Sequence, residues 1–324
     1  IPAGVTAITS KDIPGEHKIG LVYQDWPVFI GEGEVTNCVG DIIAMVAAED
    51  ERTARQAAKL VKVEYEVLKP VLTPEDALLP DAPLIHPPMP NKLCSTGLTR
   101  GDFDDAFMKS AHTINLQCET QYIEHAFLEP ESCLAIPRLR SACASHAVTD
   151  ASSVASGAQT SRGAREVARE GACAPRTDDG VELHFYTQGQ GVFDDRRQVA
   201  AVLGLPVEKV SAELVSNGGA FGGKEDCAMQ PHVCLMAWLT KRPVKATFSR
   251  EESIRFHPKR HPIKFEYWAG CDKDGHLTCV RVRALGDKGA YASVGTKVLE
   301  RAGGHSCGPY RVPVVDIQSV GAYT

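Results

Sequence analysis

The sequence predicts a mixed α/β protein of the α+β type. Three observations predict it. Short apolar or strictly alternating stretches read as strands, capped segments of helical period lie between them, and a glycine-rich loop sits between a strand and a helix. The 324 residues suffice for about two domains with a sizeable core.

Taken in order, Ile42 to Val46 is an apolar run expected to form a buried strand. Asp50 stands before a helical stretch, Arg52 to Leu60, as an N-cap would. Val61 to Val67 alternates apolar and polar residues, which predicts a strand with one wet face. Five prolines in "PDAPLIHPPMPNK", residues 80–92, predict an extended linker. The chain therefore divides into a small domain over 1–82, a linker over 83–98, and a larger region over 99–324. Strands are expected at Thr113–Glu119 and Ser132–Ile136. Residues 138–180 are rich in Ala, Ser, Arg and Gly and poor in large apolar side chains, so they predict a disordered or poorly packed insert. Beyond it come a strand at Val181–Tyr186 and a helix at Asp194–Leu203, ended by Gly204 and Pro206. A strand at Val210–Val215 enters the glycine loop, and Cys227–Thr240 has helical spacing. Lys264–Ala269 and Leu277–Leu285 flank the hairpin signal Asp274-Gly275.

Composition excludes several classes. Charged residues make up 23% and apolar residues 43%, with a formal net charge of -6, which argues against nucleic acid as the main partner. No apolar run of about 18 residues predicts a membrane span. Eleven cysteines at irregular spacing, without a C-x-x-C pair, fit reduced and mostly buried thiols in a cytoplasmic protein. The chain begins at Ile1 without an initiator Met and reads as a fragment of a longer polypeptide.

The stretch "NGGAFGGKED", residues 217–226, poses the functional question. Gly218 to Lys224 fits the phosphate-loop pattern G-x-x-x-x-G-K, but Glu225 stands where Ser or Thr would hold Mg²⁺. A carboxylate there would repel a triphosphate oxygen at 4 Å by roughly 4 kcal/mol at an effective dielectric of about 20. Nucleotide binding is therefore set aside. Four glycines among six residues still free the backbone for positive φ and for close approach by another group. The bland reading is a tight turn leading into a helix.

The loop resembles the glycine-rich, molybdopterin-contacting loop of the xanthine dehydrogenase / aldehyde oxidase family. "CVGDIIAMVAAEDERTARQAAKLVKVEYEVLKPVLTPEDAL" resembles that family's α/β-hammerhead domain. "RGDFDDAFMKSAHTI", "YIEHAFLEPESCLA", "LHFYTQGQGVFDDRRQVAAVLGLP" and "LERAGGHSCGPYRVPVVDIQSVGAYT" resemble consecutive segments of the first molybdopterin-binding region. The resemblance implies a molybdenum–molybdopterin cofactor, the cytosine dinucleotide form being one option, with the metal held by the pterin rather than by protein side chains. It also implies 2Fe-2S clusters and FAD on partner domains or subunits, in a dimeric complex. The implied reaction is hydroxylation of a purine such as xanthine or hypoxanthine, with oxygen from water and electrons leaving through the pterin. Gly219, Ala220, Phe221, Gly222, Gly223 and Gln188 match the cofactor contacts, with Phe221 and Gly222 beside the molybdenum. Glu225 matches the carboxylate that contacts the purine, and Arg301 the arginine that orients it. A ring with N–H and C=O edges needs such a placed acceptor and cationic donor.

The sequence departs from the family at Ile123, where a glutamine is usual. The resemblance places the general base and later pterin contacts beyond residue 324, so no complete site is expected in this chain alone. The same fold would also serve an aldehyde or other N-heterocycle oxidase, or a non-catalytic assembly fragment. His257 and His261 have metal-like spacing, but Pro258 and Pro262 forbid a regular helix, which favours structural roles. His125, near Glu124 and Glu129, is expected to be satisfied polar packing, and Cys227 a small buried side chain.

Overall fold

The computed structural model describes residues 3–138 and 180–324. The elements run β1 (Thr6–Thr9), β2 (Lys18–Ile19), β3 (Trp26–Pro27), β4 (Ala44–Ala47), α1 (Glu51–Ala58), α2 (Pro74–Ala77), β5 (Lys92–Arg100), α3 (Phe103–Lys109) and β6 (His112–Glu119). There follow β7 (Ser132–Pro137), β8 (Leu183–Thr187), α4 (Val192–Val202), β9 (Val210–Leu214), α5 (Gln230–Thr240), β10 (Val244–Thr247), α6 (Arg250–Phe256), β11 (Ile263–Cys271), β12 (Leu277–Asp287), α7 (Gly295–Gly304) and β13 (Val314–Ala322). This is the mixed α/β architecture expected.

Two larger sheets carry the structure. One has the order β10-β7-β8-β9, with β8 and β9 parallel. The other has the order β5-β13-β12-β11-β6, with β12 and β13 parallel. The first sheet packs on α4 and α5, which explains why α5 is apolar nearly all round, with Val233 to Ala237 fully buried. Ile8, Ile13, Ile19, Val28 and Phe29 join the same core. The apolar side chains of the first thirty residues thus share one core with the later sheet. In the second sheet α7 lays Leu299 over Gly286 and Gly321, where an added Cβ would lie 2.6 and 3.1 Å from it. Those two glycines let the helix sit close to the strands.

Local signals explain most boundaries. Asp50 caps α1 by accepting from the Thr53 N–H at 2.9 Å. Ser249 and Glu252 form a reciprocal capping box on α6, which stops at His257 before Pro258. The β11–β12 turn uses Gly275 at φ +86°, with Asp272 accepting the N–H groups of Asp274 and His276.

Four expectations need correction. Val61–Val67 is not a strand, because no strand lies beside it among the described residues. Its supposed dry face is open, with Tyr65 62% and Val67 90% exposed. The proline-rich stretch is not an extended linker. It folds back around buried Asn91, whose Nδ2 donates to Ala77 O and Pro83 O. Residues 92–98, assigned to the linker, lie in β5 and pair with β13. The helix expected from Cys227 begins at Gln230, since 221–229 are spent on turns. The expected insert falls almost wholly on residues outside those described. The nine described cysteines are free thiols, but only Cys133, Cys227, Cys234 and Cys279 are buried. Among the described residues no helix is long and apolar enough to cross a membrane.

Candidate cofactor cradle at the glycine loop

β9 delivers the chain to the glycine loop, and the loop's glycines are used. Gly219 and Gly222 take φ +105° and +95°. A Cβ on Gly218 would lie 1.9 Å from the Glu129 carboxylate, and one on Gly223 would lie 2.9 Å from the His125 ring. The loop therefore presses onto the segment 124–131 beneath it. Lys224 turns inward and is fully buried; its Nζ donates to Glu129 O at 3.2 Å and stands 4.3 Å from the centre of the Phe127 ring. Burial holds its ammonium below the usual lysine range.

Backbone strain concentrates here. Four non-glycine residues among those described take positive φ: Ala126 (+45°), Phe221 (+55°), Lys241 (+57°) and Ser293 (+36°). Lys241 merely ends α5. The other three surround the loop, and each such residue costs on the order of 1–3 kcal/mol. Phe221 bears this cost while 74% exposed, so core packing does not explain it. The loop is held from one side by Gln190. Its Oε1 accepts from the N–H groups of Gly222 (2.9 Å) and Lys224 (3.1 Å), and its own backbone N–H donates to Lys224 O (2.8 Å).

Beyond the loop, Glu225 is half-buried and its carboxylate makes no hydrogen bond or ion pair among the described residues. Asp226 is buried, which pushes its carboxyl up to about 6. It accepts a hydrogen bond from Ser293 Oγ. Asp25 in turn accepts from the N–H groups of Ala292 and Ser293 and from Tyr323 OH. This knot ties the loop's exit to the start of α7, the helix that carries Arg301. Arg301 itself lies two residues past buried Leu299, about 200° round the helix, and is exposed. It is about 9 Å along the helix from Gly295, where α7 begins. Among the described residues no hydrogen bond or ion pair joins its side chain to Glu225. A cavity of about 650 Å³ is also elsewhere, against β11, β12 and β13, lined by Lys264, Glu266 and Arg283 among others.

Gln188 accepts from the Ser132 N–H at 3.0 Å and donates to Ser216 O at 3.3 Å. It pins the loop's approach. The expectation of a satisfied polar floor fails at two atoms. His125 Nδ1 and Glu129 Oε2 are buried without a hydrogen-bond partner among the described residues, whereas Glu124 pairs with Lys259 at 2.7 Å. Burial also holds His125 below the usual imidazole range. His257 is structural as expected: it is buried and bonded to Glu131 at 2.7 Å. Ile123 bridges Arg260 through the backbone, and its side chain is exposed.

Under the loop Glu131, Gln230, Thr187 and Asp195 form a buried chain of hydrogen bonds. Buried Cys227 joins it through Asp195. Sequence reasoning does not find this chain or Gln190. The signal available is the flanking pattern Gly189-Gln190-Gly191. Burial, and then the charges of Glu131 and Asp194, push the Asp195 carboxyl from 3.8 up to about 7. A raised acid favours the folded state below its unfolded value, and that contribution is lost as pH rises toward 7. Asp195→Asn is therefore expected to flatten stability between about pH 4 and pH 7, with a gain above that range of at most about 4 kcal/mol. Denaturation of both proteins at about pH 5 and pH 8 checks this; identical responses would refute it.

The loop fits a large flat anionic group on two counts. The glycines leave no side chains in its path, and the N–H groups of Ala220 and Phe221 carry no hydrogen bond among the described residues.

A model of the molybdopterin cofactor-binding domain matches residues 166–324. A model of the aldehyde oxidase and xanthine dehydrogenase a/b hammerhead domain matches residues 2–69. The chain is 33% identical over 322 residues to the nicotinate dehydrogenase large molybdopterin subunit of Eubacterium barkeri, covering 99% of this chain and 66% of that protein. It is 32% identical to a probable xanthine dehydrogenase subunit of Bacillus subtilis (strain 168), covering 99% of this chain and 37% of that one. The chain thus spans only part of the length of either relative. The structure of the aldehyde oxidoreductase of Desulfovibrio gigas shares the fold, with TM-score 0.82 and 23% identity, over 99% of this chain and 32% of the other.

Proposed function

Because the chain belongs to the xanthine dehydrogenase and aldehyde oxidase family, we propose that it contributes the glycine-loop half of a molybdenum hydroxylase site that acts on a purine. The observation that carries the reading is the strained, exposed Phe221 at the tip of a loop whose N–H groups at Ala220 and Phe221 are unpaired among the described residues. The molybdenum–pterin group, when bound, supplies the two-electron oxidation. This chain's residues bind and orient. The N–H groups of Ala220 and Phe221, with Gly219, Gly222 and Gly223, hold the cofactor. Glu225, uncommitted and half-buried, accepts from a purine N–H. Arg301 enters as the cation that orients the ring, supported by the absence of a side-chain hydrogen bond or ion pair for it among the described residues, its charge being felt only by neighbouring Glu300. 2Fe-2S and FAD on partner domains or subunits of a cytoplasmic dimer would supply the onward path for electrons, and the general base would come from outside this chain.

A second reading, oxidation of another N-heterocycle, is favoured by the likeness to the nicotinate dehydrogenase subunit. The test is molybdenum content of the full-length complex, with initial rates on xanthine, hypoxanthine, nicotinate and an aldehyde. Purine turnover well above the others is expected; nicotinate turnover in its place would overturn the purine reading. Arg301→Ala is expected to lose most purine turnover at unchanged molybdenum content. Unchanged turnover would strike Arg301 from the site and leave Glu225 in it.

A further inference from the structure

We propose that Gln190 is a positioning residue that clamps the glycine loop and holds Phe221 in its left-handed conformation. Consecutive residues Phe221 and Gly222 both have positive φ, and only the second adopts it without strain. Something must offset the strain at Phe221. Gln190 supplies three hydrogen bonds across the turn, two to the N–H groups of Gly222 and Lys224 and one to Lys224 O. The two side-chain bonds share a single acceptor oxygen and fall on either side of Gly223. That geometry fixes the turn rather than one residue.

The clamp is itself rigidly mounted. Gly189, just before it, packs against Asp195 so closely that a Cβ would lie 2.2 Å from Oδ2, and its N–H donates to Thr187 Oγ1. Gly191, just after it, accepts from the Asp195 N–H and opens α4. The buried chain of hydrogen bonds thus sets the backbone of Gln190, and Gln190 sets the loop. Without the clamp, Phe221 relaxes toward ordinary φ and its ring leaves the cofactor face. The consequence for cofactor binding rests on the reading of the loop as a cofactor cradle; the clamp does not.

The test uses the intact complex with Gln190→Ala, Gln190→Glu, Phe221→Gly and the double variant Q190A/F221G. Amide hydrogen exchange of peptides spanning 217–226 is expected to rise about tenfold in Q190A. Glutamate keeps the acceptor, so Q190E is expected to stay within twofold of wild type. In the F221G background the effect of Q190A is expected to fall below about threefold, because glycine adopts the left-handed conformation without strain. Unchanged exchange in Q190A, or the same fold-change in both backgrounds, overturns the proposal. Molybdenum content is expected to fall in Q190A and recover in Q190E. If the loop loosens as expected while molybdenum content holds, the clamp stands and the cradle reading fails.

Discussion

Glu225→Gln in the intact enzyme is expected to lower kcat/KM for a purine by about 10- to 150-fold, at unchanged molybdenum content. The magnitude follows from one charge-assisted hydrogen bond, about 1.5–3 kcal/mol, lost from the bound ring. The neighbours point the same way. Lys224 is buried beneath the loop and Asp226 is committed to Ser293, so the intervening carboxylate is left for a ligand. Glutamine keeps the size and removes the charge, so folding is not at issue. Purine rates within twofold of wild type would show that Glu225 does not touch substrate.

The second large effect is expected from Gly219→Ala. Gly219 stands at φ +105°, where an L residue is strained by roughly 1–3 kcal/mol, and its Cβ would lie 2.8 Å from the Phe221 ring. The ring must move or the loop must reshape. Molybdenum content and turnover are expected to fall together by tenfold or more, with a loss of stability of roughly 1–3 kcal/mol from the strain. Gly33→Ala is the matched control: its φ is +82° and nothing lies within 4 Å of the added Cβ. It is expected to cost about 1 kcal/mol of stability and leave molybdenum untouched. Full molybdenum content in Gly219→Ala would remove the loop from the cofactor's surroundings.

Much of the fold was legible because its signals are local. Asp50 before α1, Asp274-Gly275 between β11 and β12, and Gly204 after α4 each act within a few residues. Val61–Val67 misled because alternation reports what a strand could bury, not whether another strand lies beside it. Lys92–Leu98 was hidden in the linker because its partner, β13, is more than two hundred residues away. At the site the glycine loop was legible from composition. The work of Gln190 was not, since an amide at position 190 says nothing of the N–H groups at 222 and 224 that it will meet. Nor did the sequence hint that His125 and Glu129 would be buried with atoms unpartnered.

The knot of Asp25, Ser293, Asp226 and Tyr323 has a consequence for biosynthesis. Its hydrogen bonds join residues 268, 67 and 298 positions apart. Closing such loops is slow, and the knot cannot be complete while the chain is still emerging. The glycine motif is translated roughly a hundred residues before Tyr323, yet the anchor at its exit is finished only when that tyrosine arrives. The frame at the motif's exit must therefore wait for the ribosome to pass Tyr323, and a nascent chain halted between the two would carry every residue of the motif without the frame that shapes it.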